Sequence, residues 1–313
     1  MDPLRILCDT QGFFTRAEAA EAGYADRDVT RMMRGRQWHR IRRGYYTYAE
    51  LWADLDEVGR HRVRSLAVAH SLGPAVALSH VSAAVLHGIS FWNVDLSRVH
   101  VTRLDGAAGR TEGDVIHHEG LCLDDDVMEL AGHRVVVPVR CAIEAASRAG
   151  TEAALTLLES GLHKELFDVD ALTARFELMA AWPFMRHLHV PVRMARPGSE
   201  SVGETRGKWL CRVFHLPAPQ PQFAVRDADG VLRGTCDWGW PEHRLLGEFD
   251  GKVKYGRLLE PGQDPGEVVF AEKHREDVLR EITGFGMVRL IWSDYDRPRL
   301  TAARIQSQLR RVA

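Results

Sequence analysis

The stretch CDWGWPEHRLLGEFDGKVKYGR, residues 236–257, decides the fold prediction for the last third of the chain. Side chains on a β-strand alternate between its two faces, so residues at every second position share one face. Asp237 precedes the charged part of this stretch, which favours a metal-binding catalytic strand over a polar surface strand. The residues that alternate in this way are two acids followed by two lysines, Glu248, Asp250, Lys252 and Lys254.

The residues around this stretch predict the order helix, three strands, helix, strand over residues 198–313. A helix from about Glu200 to Phe214 precedes strands PQFAVRD and VLRGTCDWGW, which a turn at Asp229-Gly230 separates. HRLLGEFDGKVKY forms the third strand, AEKHREDVLREITG the second helix and GMVRLIWSD the last strand. The second helix allows the last strand to join the sheet by a crossover connection. We therefore predict an αβββαβ core.

This order resembles the PD-(D/E)XK nuclease fold, with an acid on the first helix, Asp237 at the end of the second strand and Glu248-x-Asp250-x-Lys252 on the third. More narrowly, DWGWPEHRLLGEFDG and EKHREDVLREITGFGMVRLIW resemble very-short-patch-repair endonuclease-like domains. The resemblance implies a Mg²⁺ or Mn²⁺ cofactor, and Mg²⁺ prefers carboxylate oxygens. The expected metal ligands are Asp237, Glu248 and Asp250. The candidate catalytic residues are Glu204, Asp237, Glu248, Asp250 and Lys252.

Three alternatives stay open for this site. If Glu248 is the motif acid, Asp250 occupies the lysine position, whereas Asp250 as the motif acid gives the spacing D-x-K with Lys252. Asp250-Gly251 is also a two-residue hairpin signal, which would divide the third strand and its common face. Ser201 and Glu204 have the spacing of a capping box, so Glu204 also has a purely structural role as the start of a helix.

Residues 1–50 predict three helices followed by a hairpin, the order of a winged helix-turn-helix domain. Thr15 is a candidate N-cap for the helix that follows it, with Glu18 three residues later as in a capping box. Gly35 ends the next helix along the chain. The hairpin turns at Arg43-Gly44. No acid falls between Arg31 and Arg43, so this segment presents a local cationic surface of the kind that contacts phosphates. Its six arginines, the expected DNA-binding residues, are Arg31, Arg34, Arg36, Arg40, Arg42 and Arg43.

A solvated charge run on a protein-interaction module would have the same composition. The segment GFFTRAEAAEAGYADRDVTRMMRGRQWHRIRRGYYTYA nevertheless resembles the N-terminal domain of AbiEi-family antitoxins from type IV toxin–antitoxin systems. The resemblance implies that this domain binds promoter DNA and represses its own operon. It also implies a cognate nucleotidyltransferase-type toxin as a second partner.

Residues 57–195 predict an α/β middle domain. Helices VGRHRVRSLAVAHSLG and ALSHVSAAVLHGIS precede strands RVHVTRLDG and GDVIHHEG, and HRVVVPVRCAIEAASRAG passes from strand to helix at Pro138. This order, with Ser79-His80 early in the domain and Arg140 in the helix after Pro138, resembles the middle domain of AbiEi-like proteins. His80 and His87 lie seven residues apart on one predicted helix face and suit core or capping roles. The pair His117-His118 places one side chain on each face of its strand.

Composition narrows the class of protein. The 313 residues include 27% charged and 45% hydrophobic residues with a net charge of −2, so a polyanionic partner requires a local rather than a global basic surface. Five scattered cysteines with no C-x-x-C pair argue against a zinc site and against a disulfide framework. The N-terminal residues lack the apolar core of a signal peptide, and no membrane partner is expected. We therefore expect a cytoplasmic protein.

Three function hypotheses follow from these patterns. The first is an antitoxin-type DNA-binding regulator that retains a nuclease fold, and the second is a Mg²⁺-dependent DNA endonuclease targeted by its winged helix. The third is an inactive scaffold that binds a toxin. The predicted domains are 1–50 (winged helix-turn-helix), 57–195 (AbiEi-like) and 198–313 (nuclease-like).

Overall fold

The computed structural model describes residues 2–251 and 278–310, which form a mixed α/β protein with several sheets. The chain divides into a first unit, Met1–Arg193, and a second unit, Met194–Ala313. The predicted separation of residues 1–50 from residues 57–195 stays a prediction. None of the described helices combines the length and the apolar composition that crossing a bilayer requires.

The first unit begins with helices around a small antiparallel sheet of order β1-β3-β2. Thr15 caps α2, and the reciprocal hydrogen bonds with Glu18 confirm the predicted capping box. The sequence did not predict β1, whose Phe14 pairs with Tyr46 and is fully buried beside Trp38. The elements are α1 (Pro3–Gln11), β1 (Phe14–Thr15), α2 (Arg16–Glu21), α3 (Asp26–Arg34), β2 (Trp38–Arg42), β3 (Tyr45–Tyr48) and α4 (Ala49–Asp54).

The rest of the first unit contains a six-stranded sheet of order β6-β7-β5-β4-β9-β8. Its strands are β4 (Val76–Leu78), β5 (Val99–Arg103), β6 (Arg110–Glu112), β7 (Val115–His118), β8 (Val127–Leu130) and β9 (His133–Val136). Its helices are α5 (Glu57–Leu72), α6 (His80–Leu86), α7 (Pro138–Ser147), α8 (Thr151–His163) and α9 (Val169–Met179). The strand-to-helix passage at Pro138 is confirmed, and the helix after it, α7, packs against α6 and α8.

Two predictions for this part of the chain were wrong in detail. Residues 77–90 were expected to form one helix, but Val76–Leu78 is a central strand and α6 begins only at His80. The short apolar run is buried between two strands, and a run of that length has no periodicity that separates strand from helix. His80 adopts a left-handed conformation with φ of 51°, and His87 lies at the C-cap rather than inside the helix.

The second unit contains a four-stranded sheet of order β10-β11-β12-β13. Helix α10 (His189–Met194) occupies part of the predicted linker before it. The elements are α11 (Val202–Val213), β10 (Gln220–Arg226), β11 (Leu232–Trp240), β12 (Leu245–Asp250), the described helical residues 278–283 (α12), β13 (Gly286–Ile291) and α13 (Pro298–Arg310). Strands β12 and β13 are parallel neighbours, which confirms that the last strand joins the sheet, and its place is beside the third strand.

The second unit differs from the predicted order at three places. Asp237 is an interior residue of β11, which continues to Trp240, so its expected position at the strand end was wrong. The third strand begins at Leu245 instead of His243, because residues 241–243 form a 3₁₀ turn. Helix α13 follows β13 and was not predicted, although Ile305 and Leu309 bury its apolar face in the core.

Two glycines allow α11 to lie close to the sheet. A Cβ atom at Gly203 would collide with the ring of Phe249, and one at Gly207 would collide with the ring of Trp238. Both rings belong to or pack against the core formed by α11, the sheet and α13. This close approach brings the first turn of α11, which contains Glu204, next to β11 and β12.

Candidate functional site

The predicted DNA-binding arginines lie on α3, on the turn after it and on the β2–β3 hairpin. Arg31 donates to Asp28 on its own helix at 2.9 Å, so an acid outside the 31–43 segment offsets part of its charge. Arg42 is half-buried, with its guanidinium 6.0 Å from the ring centre of Tyr45. The exposed members of the set are Arg31, Arg34, Arg36, Arg40 and Arg43.

Packing on the other side of the hairpin fixes its orientation within the first unit. Trp38 is 2% exposed in the aromatic core, and His39 stacks on Trp52 of α4 with ring centres 4.5 Å apart. A shift of register between Arg40 and Arg42 breaks the strict alternation that the sequence suggested. This irregularity turns Arg42 toward Tyr45 while Arg40 and Arg43 remain exposed.

In the second unit, Asp237 links β11 to β12 through its side chain. The paired residues of these strands end at Trp238 and Gly247, so Asp237 and Glu248 are the next residues along each strand. Beyond this point the backbone N–H of Phe249 donates to the Asp237 carboxylate at 2.6 Å. The carboxylate is therefore held beside the segment of β12 that contains Glu248 and Asp250.

Glu204 is the buried acid of this region, at 5% exposure. Its carboxylate accepts hydrogen bonds from the Glu200 N–H at 2.9 Å and from the Gln222 amide at 3.1 Å. Gln222 has a left-handed φ of 47° within β10, a strained conformation that accompanies this contact. The Ser201 hydroxyl accepts from the Glu204 N–H, so Ser201 is the N-cap of α11. The Glu204 carboxylate accepts from the Glu200 N–H, and the structure gives only the Ser201 half of the predicted capping box.

The negative charge of Asp237 also affects the pKa of Glu204. Burial raises the pKa of Glu204 to about 7, and the negative charge of Asp237 acts in the same direction. Hydrogen bonds from Glu200 and Gln222 oppose this shift without cancelling it. A buried carboxyl group whose proton affinity is raised by a neighbouring carboxylate is a typical feature of sites that hold a proton or a cation.

We expect Glu204→Gln to stabilise the second unit at high pH. The folded-state pKa of about 7 exceeds the ordinary glutamate value of about 4.3, so this acid's contribution to stability is complete below about pH 4.3 and is lost as the pH rises through about 7. A glutamine keeps the acceptor oxygen but does not ionise. The free energy of unfolding of Glu204→Gln should therefore exceed that of the native protein by an amount that grows from about pH 5 to about pH 8 and approaches about 3 kcal/mol.

The measurement is urea denaturation at both pH values, followed by pulsed hydrogen exchange in peptides from α11. Glu200→Gln is the matched control, because Glu200 is an exposed acid four residues earlier. A Glu204→Gln gain that is the same at the lower and the higher pH, or an equal gain in the control, would contradict the raised pKa.

Of the remaining predicted site residues, two lie on β12 and the lysines lie outside the described residues. Glu248 and Asp250 are half-buried on β12, where Glu248 is level with Arg289 of β13. Strand β12 ends at Asp250 and Gly251 is in a 3₁₀ turn, so the predicted strand does not continue unbroken past Asp250. Lys252 and Lys254 lie outside the described residues. The choice between the two acid–lysine registers, and the alternative of a hairpin at Asp250-Gly251, therefore stay predictions.

The sequence did not reveal a polar cluster in the first unit. His80, His100 and His118 form, within residues 2–251 and 278–310, the one group of three or more potential metal ligands whose candidate donor atoms all lie within 4.8 Å of one another. Among the same residues, the acids Asp237, Glu248 and Asp250 do not form such a group. The pair His117-His118 was the sequence signal available for this cluster. The two histidines that join His118 in it come from another strand and from the start of a helix, so the sequence did not reveal them.

An ionic network adjoins these histidines. Arg140, 1% exposed, donates to Asp126 at 2.6 Å and to Glu144 at 2.8 Å, and Arg175 reaches Asp126 at 2.7 Å. Glu144 also accepts from the His80 backbone N–H at 3.2 Å. Burial acts to raise the pKa of Asp126, but the Leu123 N–H and the two arginines lower it below its ordinary value.

Comparison with known proteins gave no assignment. No protein-family model matches the chain, and no curated protein matches it.

Proposed function

We propose that the protein is a DNA-binding regulator of the AbiEi antitoxin type, with a winged helix at its N-terminus and a nuclease-like second unit. The observation that supports DNA binding most is the row of exposed arginines on α3 and the β2–β3 hairpin. A helix that packs beside a hairpin strand suits a duplex, since a helix enters the major groove and basic side chains contact the phosphates.

The arrangement of charges along α3 is compatible with this role. Asp26 and Asp28 lie at its N-terminus, and Arg31 and Arg34 lie in its last turn. Charges in these positions also interact favourably with the helix dipole and so stabilise the helix. Helix stability accounts for the two arginines on α3 but not for Arg40 and Arg43 on the hairpin. Those two are exposed and therefore carry the proposal.

We expect Arg40→Ala/Arg43→Ala to weaken binding to all duplex sequences alike. Each phosphate contact contributes about 0.9 to the slope of log affinity against log salt concentration, so two lost contacts should flatten this slope by about 2. The measurement is fluorescence anisotropy of a labelled random-sequence duplex with the full chain over a range of salt concentrations. Affinity that does not depend on salt in the native protein would contradict the proposal.

The matched control is Arg98→Ala/Arg186→Ala. It removes the same charge from exposed positions of the first unit that belong to neither α3 nor the hairpin. A slope change equal to that of the hairpin variant would mean that DNA senses net charge rather than this surface.

The second candidate function is hydrolysis of DNA phosphodiesters by the second unit. Its support is the meeting of Glu204 from α11 with Asp237 from β11, beside the β12 segment that contains Glu248 and Asp250. The sheet order, with parallel β12 and β13 and a helix between them in the chain, is compatible with the nuclease-like fold.

The donor set fits a hard divalent cation. Carboxylate oxygens suit Mg²⁺ or Mn²⁺, and the raised pKa of Glu204 means that an added positive charge is favourable in this region. Asp237 together with Glu248 or Asp250 would hold the ion. When bound, it would lower the pKa of a water and neutralise negative charge on the phosphate.

Within this site the protein's own residues have separate tasks. The Phe249 N–H holds the Asp237 carboxylate in place, and Gln222 orients Glu204 through its hydrogen bond. Glu204, with a pKa of about 7, can hold or release a proton near neutral pH. A toxin-binding scaffold without cleavage is the alternative, which a plasmid-cleavage assay separates from a nuclease.

A further inference from the structure

The three clustered histidines of the first unit lie on different elements of one sheet and its adjoining helix. His100 comes from β5, His118 from the neighbouring parallel strand β7, and His80 from the first position of α6. His100 Nδ1 and His118 Nε2 are 2.9 Å apart, and the rings of His80 and His118 stack with centres 3.7 Å apart. His80 and His100 are each 8% exposed.

Burial keeps all three imidazoles neutral, the form that binds metals. It lowers the pKa of His80 well below its ordinary range, that of His100 to about 3 and that of His118 to about 4. In each case nearby positive groups add to the effect of burial. A neutral imidazole carries one free lone pair and is the commonest metal ligand among side chains, well suited to zinc-type cations.

Other groups hold the histidines in position. His80 Nδ1 lies 3.1 Å from the Ser79 hydroxyl and 3.4 Å from the Glu144 carboxylate, which leaves its Nε2 for a ligand. The Ser82 hydroxyl accepts from the His100 backbone N–H and contacts His61 at 2.9 Å. Carboxylate and hydroxyl partners on the ring, such as those of His80 Nδ1, orient metal-binding histidines in proteins.

One side of the cluster opens on a cavity of about 170 Å³. His80 and His118 line it together with Arg148 and Trp182. Phe184, which also lines it, is 64% exposed and has a left-handed φ of 66°, with the Arg148 guanidinium 5.2 Å from its ring centre. Three protein ligands with one open position toward a cavity is the pattern of catalytic zinc sites rather than of closed structural ones.

We propose that His80, His100 and His118 bind one zinc-type divalent cation, with a fourth position open to this cavity for water or a small anion. Ligand nitrogens around tetrahedral zinc lie about 3.3 Å apart, given bonds of about 2.0–2.1 Å. The His80 and His118 rings are stacked with an interplanar angle of 16°, so their in-plane lone pairs do not converge, and on binding the His80 ring turns out of the stack to direct its Nε2 at the ion. The His100–His118 pair widens slightly, and the shared hydrogen moves to the outer nitrogen of its ring. No proton leaves the pair in this tautomer change.

The arginines around the cluster differ in how far acids offset their charge. Arg140 is compensated by Asp126 and Glu144, so its charge does not act on the cluster unopposed. Arg175 is likewise paired with Asp126. Arg148 lines the cavity, and its positive charge lowers the pKa of all three histidines, so a bound cation has to overcome the repulsion of this one guanidinium.

The test is titration of the metal-free full chain with Co²⁺ and then Zn²⁺. We expect one equivalent of Co²⁺ to produce the visible d–d absorption of a low-coordinate nitrogen site, and Zn²⁺ to displace it. His118→Gln should weaken Co²⁺ affinity more than about a hundredfold, beyond the roughly 10–100-fold that loss of an outer partner costs. Zn²⁺ should raise the melting temperature of the native protein but not of His118→Gln.

His117→Gln is the matched control, since His117 precedes His118 on β7 and points to the opposite face. It should keep the Co²⁺ absorption. No visible absorption with the native protein, or equal Co²⁺ affinity in His118→Gln and His117→Gln, would overturn the proposal. If His118→Gln fails to fold, the same comparison with His80→Gln decides it.

Discussion

We expect Arg140→Met to lower the free energy of unfolding of the first unit by about 3–5 kcal/mol, the cost of breaking a buried ion pair from one side. The Arg140 guanidinium lies between two buried carboxylates, Asp126 and Glu144. Methionine fills similar volume but donates no hydrogen bond, so both acids lose a cationic partner in a buried region. Asp126 keeps Arg175 at 2.7 Å, and Glu144 therefore bears most of the loss.

The measurement is urea denaturation, read through hydrogen exchange of peptides from α7 and α8. Arg134→Met is the matched control, because Arg134 is exposed on β9 and donates to the Pro74 carbonyl rather than to a buried acid. The double variant Arg140→Met/Glu144→Met should cost less than the sum of the two single changes, since it removes the unpaired charge. If the losses of free energy of unfolding in the two single variants add up to that of the double variant, the two side chains are not energetically coupled.

The sequence could predict the second unit well because its signals are local. Alternation, the turn at Asp229-Gly230 and the helix-forming segment after residue 270 together imply three strands and a crossover, and the parallel pairing of β12 with β13 agrees. The same signals could not locate Asp237 inside its strand. Strand ends depend on where the partner strand diverges, and here a side-chain hydrogen bond to Phe249 replaces the ladder.

The histidine cluster could not be predicted because its geometry depends on strand order. His100 and His118 become neighbours only when β5 and β7 pair in parallel, with β6 on the far side of β7. His80 joins them because a three-residue strand, β4, ends just before it, and the sequence pattern there predicted a helix instead. Because the short strand β4 was predicted as part of a helix, the sequence did not reveal the histidine cluster.

We expect Asp237→Asn to abolish cleavage of supercoiled plasmid in Mg²⁺ or Mn²⁺, a loss of at least about a hundredfold, the scale for removing one group that stabilises charge in the transition state. Asparagine keeps the acceptor oxygen that the Phe249 N–H requires, so the link between β11 and β12 survives. What it removes is one negative charge. The acidic site then loses a cation ligand, and the repulsion that helps raise the pKa of Glu204 is relieved.

Asp229→Asn is the matched control, because Asp229 is an exposed acid at the turn of the same β10–β11 hairpin. It should cleave as the native protein does. DNA affinity measured at the same salt concentration should be equal in all three proteins, since the arginine surface of the first unit is unchanged. If the native protein leaves plasmid intact across Mg²⁺ and Mn²⁺ concentrations while it still binds DNA, the proposed hydrolysis is wrong and the acids of the second unit serve regulation or partner binding.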